Sequence, residues 1–145
     1  RRSSDLQAVV SRLAEVLFVQ MMRAHITQSG ESSGILAAIS DKQIGAALQL
    51  MHGAPEKNWD LIELSRNVGM SRSGFAARFH QLVNQTPMQY LMFWRMQKAR
   101  DLLKNSRLGT AEIAERVGYQ SEASFGKVFK KVVGVGPGAF RRASS

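Results

Sequence analysis

The sequence predicts an all-α fold in which two helix-turn-helix units, each homeodomain-like, are joined by a long linker helix and preceded by about two to three further helices. Three observations predict this fold. Apolar residues recur at spacings of three and four along most of the chain, as they do on one face of a helix. Residues 62–90 and 111–140 carry the same pattern, at an offset of 49 residues up to a glycine and 50 beyond it. Within each copy that glycine separates two helical patterns, so each copy is expected to fold as helix, turn and helix.

The first predicted element is an amphipathic helix over residues 5–27 with two adjacent apolar strips. One strip can pack within the chain while the other meets a partner. Two interpretations stay open: the helix forms a homodimer contact through residues 5–27, or it belongs to the core of a domain that precedes the chain. The chain begins at Arg1 without an initiating methionine, and we therefore expect it to be a fragment of a longer protein.

Two short elements are predicted to follow. Residues 28–34 lack periodicity and are rich in glycine and serine, which indicates a loop. A short helical turn is predicted over residues 35–39, and Asp41 can cap a further helix that runs to about His52. We therefore expect short helices immediately before the first repeat.

The chain changes in charge at residues 53–55, where glycine and proline are expected to end a helix. Residues 1–53, a predicted helical appendage, carry 5 Lys/Arg against 4 Asp/Glu (+1), whereas residues 54–145 carry 15 against 7 (+8). Concentrated positive charge indicates a polyanionic partner, either nucleic acid or an anionic membrane face, and a merely solvated surface is the alternative.

The chain has no cysteine, which excludes disulfides and thiolate metal sites. No apolar run reaches the roughly 18 residues of a membrane span.

Each repeat begins with a short helix that ends at a glycine. Asp60 and Glu63 form a capping box at the start of the first copy. Gly109 is an acceptable cap at the equivalent place in the second copy. The helices are predicted to end at Gly69 and Gly118, because a left-handed backbone conformation costs little only for glycine.

The second helix of each unit is the predicted recognition helix, since its amino-terminal residues can face base edges in the major groove. A serine precedes each of these helices, Ser71 or Ser121, and can cap it. Phenylalanines at helical spacing are expected to anchor the helices in the core. The units span about residues 60–83 and 109–133. Two such units in a basic segment favour DNA binding.

A linker helix is predicted between the repeats, with Thr86 as its cap, Pro87 at its first position and its end near Lys104. A helix of this length spans about 27 Å at roughly 1.5 Å per residue. One turn of the duplex is about 34 Å, so the helix could hold two recognition helices in successive major grooves on one face of the DNA. Its aromatic residues and methionines are predicted to be core rather than a surface on which bases stack.

No catalytic or metal-binding constellation is evident in the sequence. The histidines are far apart and lack the paired spacing of metal ligands. The glycines at 134–138 are not followed by the Gly-Lys-Ser/Thr of a phosphate-binding loop. Glu63 and Glu112 each stand at the third position of a helix, where capping explains them. We therefore predict no enzyme activity, no catalytic residues, no metal site and no cofactor.

Several stretches resemble the carboxy-terminal DNA-binding domain of AraC/XylS-type transcription regulators, over about residues 55–142. The resemblance is carried by the tandem units, the linker YLMFWRMQKARDLL, the segment IAERVGYQSEASFGKVFKKVVG, and the ending with Gly134, Pro137, Phe140 and Arg141. It implies a seven-helix domain that binds promoters, with residues 1–53 as the tail of an upstream sensing or dimerisation domain whose effector is unknown. It also implies RNA polymerase as a partner, activation or repression, and a location in the bacterial cytoplasm, at the nucleoid when the protein is bound to DNA.

The resemblance also assigns DNA contacts to residues of this chain. The residues it implies would face the DNA are Arg72, Ser73, Ala76, Ala77 and His80 in the first unit and Glu122, Ala123, Gly126, Lys127 and Lys130 in the second. Base reading is predicted for all of them except His80 and Lys130. Those expected mainly at phosphates are Ser71, Arg72, Arg78, Thr86, Ser121, Lys130, Lys131, Arg141 and Arg142. Many relatives carry a basic residue in place of Ala77 and a polar one in place of Gly126. Because alanines can touch thymine methyls but cannot form bidentate hydrogen bonds, we expect modest base discrimination by the first unit and the main polar base contact from Lys127.

Three functions remain open from the sequence. The leading prediction is sequence-specific binding of double-stranded DNA by a transcription regulator, with no membrane partner. The second is a less selective DNA-organising protein. The third is a protein-interaction module whose basic face meets an acidic partner or a membrane. Binding to specific and random duplexes at several salt concentrations separates the three.

Overall fold

The computed structural model describes residues 33–145, and all regular secondary structure in that range is α-helical. The helices are α1 (Ser33–Ser40), α2 (Lys42–Gly53), α3 (Leu61–Asn67), α4 (Arg72–Val83), α5 (Pro87–Asn105), α6 (Thr110–Arg116), α7 (Glu122–Val133) and α8 (Pro137–Ser144). The predicted all-α fold with two helix-turn-helix units and a long linker helix is confirmed. Among these helices, none is both long enough and apolar enough to cross a membrane. The helix predicted over residues 5–27, and the dimer contact predicted for it, lie outside the described residues.

The helices before the first repeat differ slightly from the prediction. Helix α1 already includes residues 33 and 34, which we predicted to be the end of a loop. Serine and glycine are common at helix starts, so their presence does not by itself define a loop. Asp41 caps α2 as predicted, because its Oδ1 accepts hydrogen bonds from the backbone amides of Ile44 (2.9 Å) and Gln43 (3.1 Å).

The first compact unit contains residues 33–52 and 61–87. Helix α4 packs against both α1 and α3. The inner face of α2 is buried, at Ile44, Leu48 and Met51. Along the chain, the predicted boundary at residues 53–55 lies between α2 and the first repeat. In the structure, α1 and α2 belong to the same compact unit as α3 and α4, the two helices of the first repeat.

The second compact unit contains residues 53–60 and 88–145. Its core combines one face of α5 with α6 and α7, and α8 packs against α7. The buried members of this core are Met96, Ala99, Leu103, Ile113, Ala114, Val117, Phe125 and Phe129. The apolar face of the linker helix is therefore structural, as predicted, and is not available for stacking on bases.

Arg95 of the linker helix α5 binds two carbonyl oxygens of segment 53–60. Arg95 donates from its Nε to the carbonyl oxygen of Pro55 at 2.8 Å and from Nη2 to that of Lys57 at 2.9 Å. The indole Nε1 of Trp59 donates to the carbonyl oxygen of Ala54 at 2.8 Å. These bonds satisfy backbone carbonyls in a segment that has no helix of its own.

Candidate nucleic-acid interface

The turn of each helix-turn-helix is closed by the same backbone hydrogen bonds. In the first unit, the amide of Met70 donates to the carbonyl of Ser65 at 2.9 Å, and in the second the amide of Tyr119 donates to that of Ala114 at 2.9 Å. The turn glycines also donate, to Arg66 (3.2 Å) and Glu115 (3.1 Å) respectively. This paired pattern is the Schellman ending of a helix.

Both turn glycines have the left-handed backbone that the sequence predicted. The φ angle is 71° at Gly69 and 99° at Gly118. Each glycine directs the chain out of the first helix of its unit and toward the serine that begins the next one. The direction of each recognition helix therefore depends on a residue without a side chain.

The recognition helices α4 and α7 begin and end alike. Ser71 accepts from the amide of Gly74 at 3.1 Å, and Ser121 accepts from the amide of Ser124 at 3.0 Å, so both predicted caps are confirmed. Both helices end at a left-handed residue, Asn84 (φ 67°) in the first unit and Gly134 (φ 101°) in the second. The two copies share one scaffold at equivalent positions.

The phenylalanine anchors predicted for these helices are fully buried. The ring centroids of Phe75 and Phe79 are 5.8 Å apart, and those of Phe125 and Phe129 are 5.6 Å apart. The anchors face inward, and the first turn of each helix is exposed, at Arg72 and Ser73 in α4 and at Glu122 and Ala123 in α7. Both helices therefore present their first turns to solvent.

The first recognition helix exposes small and basic side chains. Arg72, Ser73, Ala77 and His80 are exposed, whereas Ala76 is half-buried. An open depression of about 500 Å³ lies beside the start of this helix and is lined by Leu61, Ser71, Arg72, Ser73 and Ala76. The residues predicted to read bases therefore share one accessible surface on α4.

The second recognition helix carries more positive charge on its surface. Lys127, Lys130 and Lys131 are exposed, and none of the three forms an ion pair with any residue between 33 and 145. Glu122 and Ala123 are exposed in the first turn, and Gly126 is half-buried. The predicted set for this helix is therefore accessible to a partner.

Ser124 is an exposed residue of this surface that the sequence did not single out. Its Oγ donates to the carbonyl oxygen of Ser121 (3.1 Å) and accepts from the Oγ of Ser121 (2.9 Å). The repeat offered no signal for it, because the equivalent residue of the first copy is Gly74. The start of α7 therefore presents two linked hydroxyl groups.

Two of the cations predicted at phosphates make contacts within the protein. Arg78 forms an ion pair with Asp41. Arg141 donates from Nε to the carbonyl oxygen of Leu103 at 3.0 Å and from Nη2 to that of Ser106 at 3.2 Å. A guanidinium at the last carbonyls of α5 satisfies groups that have no partner in the helix and interacts favourably with the helix dipole.

Arg95 and Tyr119 form a further contact that the sequence did not indicate. The guanidinium of Arg95 lies over the ring of Tyr119, 5.6 Å from its centroid, next to the turn glycine Gly118. Burial lowers the pKa of Arg95 and raises the pKa of Tyr119, and the two groups partly offset these shifts through a mutual hydrogen bond and charge interaction. This contact supports the turn that leads into α7.

Comparisons with known proteins agree with this geometry. The family described as "Helix-turn-helix domain" matches residues 64–143. The HTH-type transcriptional regulator AlkR of Acinetobacter baylyi is 36% identical over 136 residues, which cover 94% of this chain and 44% of AlkR. A protein of Streptomyces antibioticus that is named as AraC-like is 36% identical over 135 residues, which cover 92% of this chain and 45% of that protein. The chain thus spans less than half of the length of these relatives.

A solved structure shows the same architecture. The DNA-binding domain of AdpA, crystallised in complex with a target DNA, has a TM-score of 0.66 and 30% sequence identity, covering 72% of this chain and 93% of that chain. The tandem scaffold, the family match and these relatives all indicate one assignment. The chain therefore belongs to the helix-turn-helix family and, within it, to the AraC type.

Proposed function

We propose that this chain is the DNA-binding part of a transcription regulator and that it binds one asymmetric site in double-stranded DNA. Helices α4 and α7 would enter successive major grooves. The observation that carries the proposal is the repeated scaffold, in which matching caps and turns expose the first turns of two recognition helices. The complex of AdpA with its target DNA supports the same use of this fold. We ascribe no catalytic role to these residues.

The exposed side chains divide between base reading and phosphate contact. We assign base reading to Arg72, Ser73, Ala76 and Ala77 on α4, and to Glu122, Ala123, Gly126 and Lys127 on α7. Phosphate contacts are assigned to Lys130, Lys131 and Arg142, and to the starts of helices near Ser71, Thr86 and Ser121. For Arg78 and Arg141 we favour a structural role, because their guanidinium groups already bind groups within the protein. The two recognition helices would thus differ in how they read DNA.

We also propose that the DNA-binding domain begins near Asp41 rather than at residues 53–55. Residues 54–145 contain six helices, and α2 supplies the seventh that the AraC-type resemblance implies. The segment before Asp41 would then lead to an upstream domain that senses an effector or forms a dimer. A bacterial cytoplasmic location, at the nucleoid when bound, and contact with RNA polymerase complete the proposal.

The test begins with selection of a binding site from random duplexes. The affinity for the selected duplex and for a random duplex is then measured at several salt concentrations. A regulator requires a steep dependence on salt together with a preference of roughly a thousandfold or more for the selected duplex. Equal affinity for both duplexes would instead indicate a DNA-organising protein, and no duplex binding would indicate a protein-interaction module.

Lys127→Ala and Lys131→Ala are expected to weaken DNA binding in different ways. Both lysines are exposed on α7, but only Lys127 lies among the residues assigned to base edges. We expect Lys127→Ala to cost about 1–3 kcal/mol and to relax base preference at one position, whereas Lys131→Ala weakens all duplexes about equally. Competition binding with single-base variants of the selected site measures the difference. A uniform loss in both variants would remove the base-reading role of Lys127.

A further inference from the structure

The carboxylate of Asp41 connects the corner between α1 and α2 to the first recognition helix. Its Oδ1 caps α2 by accepting from the amides of Ile44 and Gln43. Its Oδ2 accepts from the Nε of Arg78 at 2.8 Å and also from Nη2 of the same side chain. One carboxylate therefore caps α2 and binds α4 at the same time.

In this ion pair the carboxylate of Asp41 is shielded from solvent more than the guanidinium of Arg78 is. The side chain of Asp41 is 11% exposed, whereas that of Arg78 is 47% exposed. The pKa of Asp41 lies below its usual value because the amide of Ile44, and then the guanidinium of Arg78, donate hydrogen bonds to the charged carboxylate. The carboxylate is therefore ionised at neutral pH and holds its partner by charge as well as by geometry.

The position of Arg78 on the helix indicates a structural contact. The equivalent residue in the second copy, 50 positions later, is Val128, which packs against the core of the second unit. Successive residues of a helix are separated by about 100° around its axis. Arg78 consequently lies on the flank of α4, roughly 100° from Ala77 and farther still from Ala76.

Two further contacts hold the same corner against the first unit. The Nε2 of Gln43 donates to the carbonyl oxygen of Val68, at the end of α3, with a distance of 3.1 Å. The corner itself is closely packed, because a Cβ added to Gly45 would lie 2.5 Å from the carbonyl oxygen of Ile39. The start of α2 is thus fixed to both helices of the first helix-turn-helix.

We propose that Asp41 is a positioning residue for the first recognition helix: through Arg78 it fixes the position of α4, and Arg78 serves this contact instead of binding a DNA phosphate. The proposal rests on the DNA-binding function proposed above. It makes the segment before the first repeat a determinant of how well the first half of the DNA site is read.

Asp41→Asn tests the proposal, because asparagine caps a helix as well as aspartate but carries no charge. Asp101→Asn is the matched control: Asp101 is an exposed carboxylate of α5, where its Oδ1 accepts from Asn105, and its replacement changes the net charge equally. We expect Asp41→Asn to bind the selected duplex about three- to fivefold more weakly than Asp101→Asn. On a duplex whose first half-site is scrambled, the two variants should bind equally. Amide hydrogen exchange in α4 of the free protein should accelerate only in Asp41→Asn.

A second measurement compares Arg78, which binds Asp41, with Lys131, which is assigned to a DNA phosphate. Arg78→Ala should weaken binding to the same extent as Asp41→Asn, and the double variant should lose no more than either single one. The slope of log affinity against log salt should stay unchanged in Arg78→Ala. In Lys131→Ala, which removes an exposed cation assigned to a DNA phosphate, the slope should fall by about one.

Several outcomes would overturn the positioning role. Tighter binding by Asp41→Asn than by Asp101→Asn would mean that Asp41 withholds Arg78 from DNA. A lower salt slope in Arg78→Ala would mean that Arg78 binds a phosphate. If the unmodified protein binds no duplex, the proposed function fails, and hydrogen exchange in α4 then decides the positioning role alone: faster exchange in Asp41→Asn supports it and unchanged exchange overturns it.

Discussion

Replacement of Phe129 with alanine is expected to lower the free energy of unfolding of the second compact unit by about 3–5 kcal/mol. The ring of Phe129 is fully buried, and its centroid lies 5.6 Å from those of Phe125 and Phe140. Alanine would leave a cavity that a close-packed core closes only in part. Urea unfolding monitored by tryptophan fluorescence measures the loss of stability, because both tryptophans of the chain are buried in this unit.

Phe140→Ala is the control for this prediction. Phe140 contacts the same ring of Phe129 but is only half-buried, so its truncation removes less apolar surface from the core. We expect a clearly smaller loss of stability than for Phe129→Ala. Equal losses in the two variants would contradict the assignment of Phe129 as the central anchor of the second recognition helix.

The parts of the fold that could be predicted from the sequence are those decided by neighbouring residues. Serine caps, turn glycines and phenylalanines at helical spacing act within one or two turns of the chain, and the repeat allowed each to be tested twice. Ser71 and Ser121 cap their helices, and Gly69 and Gly118 are left-handed, as predicted. Pro87 begins the linker helix as predicted, and the helix ends one residue beyond the predicted Lys104.

The contacts that escaped prediction join residues far apart in the sequence. Arg78 binds Asp41 across 37 positions, Arg141 binds the carbonyl of Leu103 across 38, and Arg95 binds that of Pro55 across 40. A basic residue in a basic domain looks the same in the sequence whether it binds a phosphate, a carboxylate or the end of a helix. Only the packing of the helices shows which guanidinium groups are already engaged.

The predicted boundary at residues 53–55 depended on local signals. Glycine and proline at residues 53–55 and the change in charge mark the end of a helix and the start of a basic segment. They do not report which helices pack together. The burial of Ile44, Leu48 and Met51, and the bonds of Asp41 and Gln43, are properties of the folded unit.

Gly118→Ala is expected to destabilise the second unit by about 2–4 kcal/mol, through two separate effects. The φ angle of 99° is unfavourable for any residue with a Cβ. In addition, the new Cβ would lie 2.8 Å from the Nη2 of Arg95, so the guanidinium would have to move. That movement would disturb its bonds to the carbonyls of Pro55 and Lys57. Urea unfolding monitored by tryptophan fluorescence measures the loss of stability.

Gly69→Ala separates the two effects, because it has a similar backbone (φ 71°) but no heavy atom of the described chain within 4 Å of the added Cβ. Backbone strain alone should cost it about 1–2 kcal/mol, measured by circular dichroism during urea unfolding. In an Arg95→Ala background, the additional cost of Gly118→Ala should fall to that same range. If Gly118→Ala costs as much without Arg95 as with it, the guanidinium does not limit the turn, and backbone strain alone accounts for the glycine.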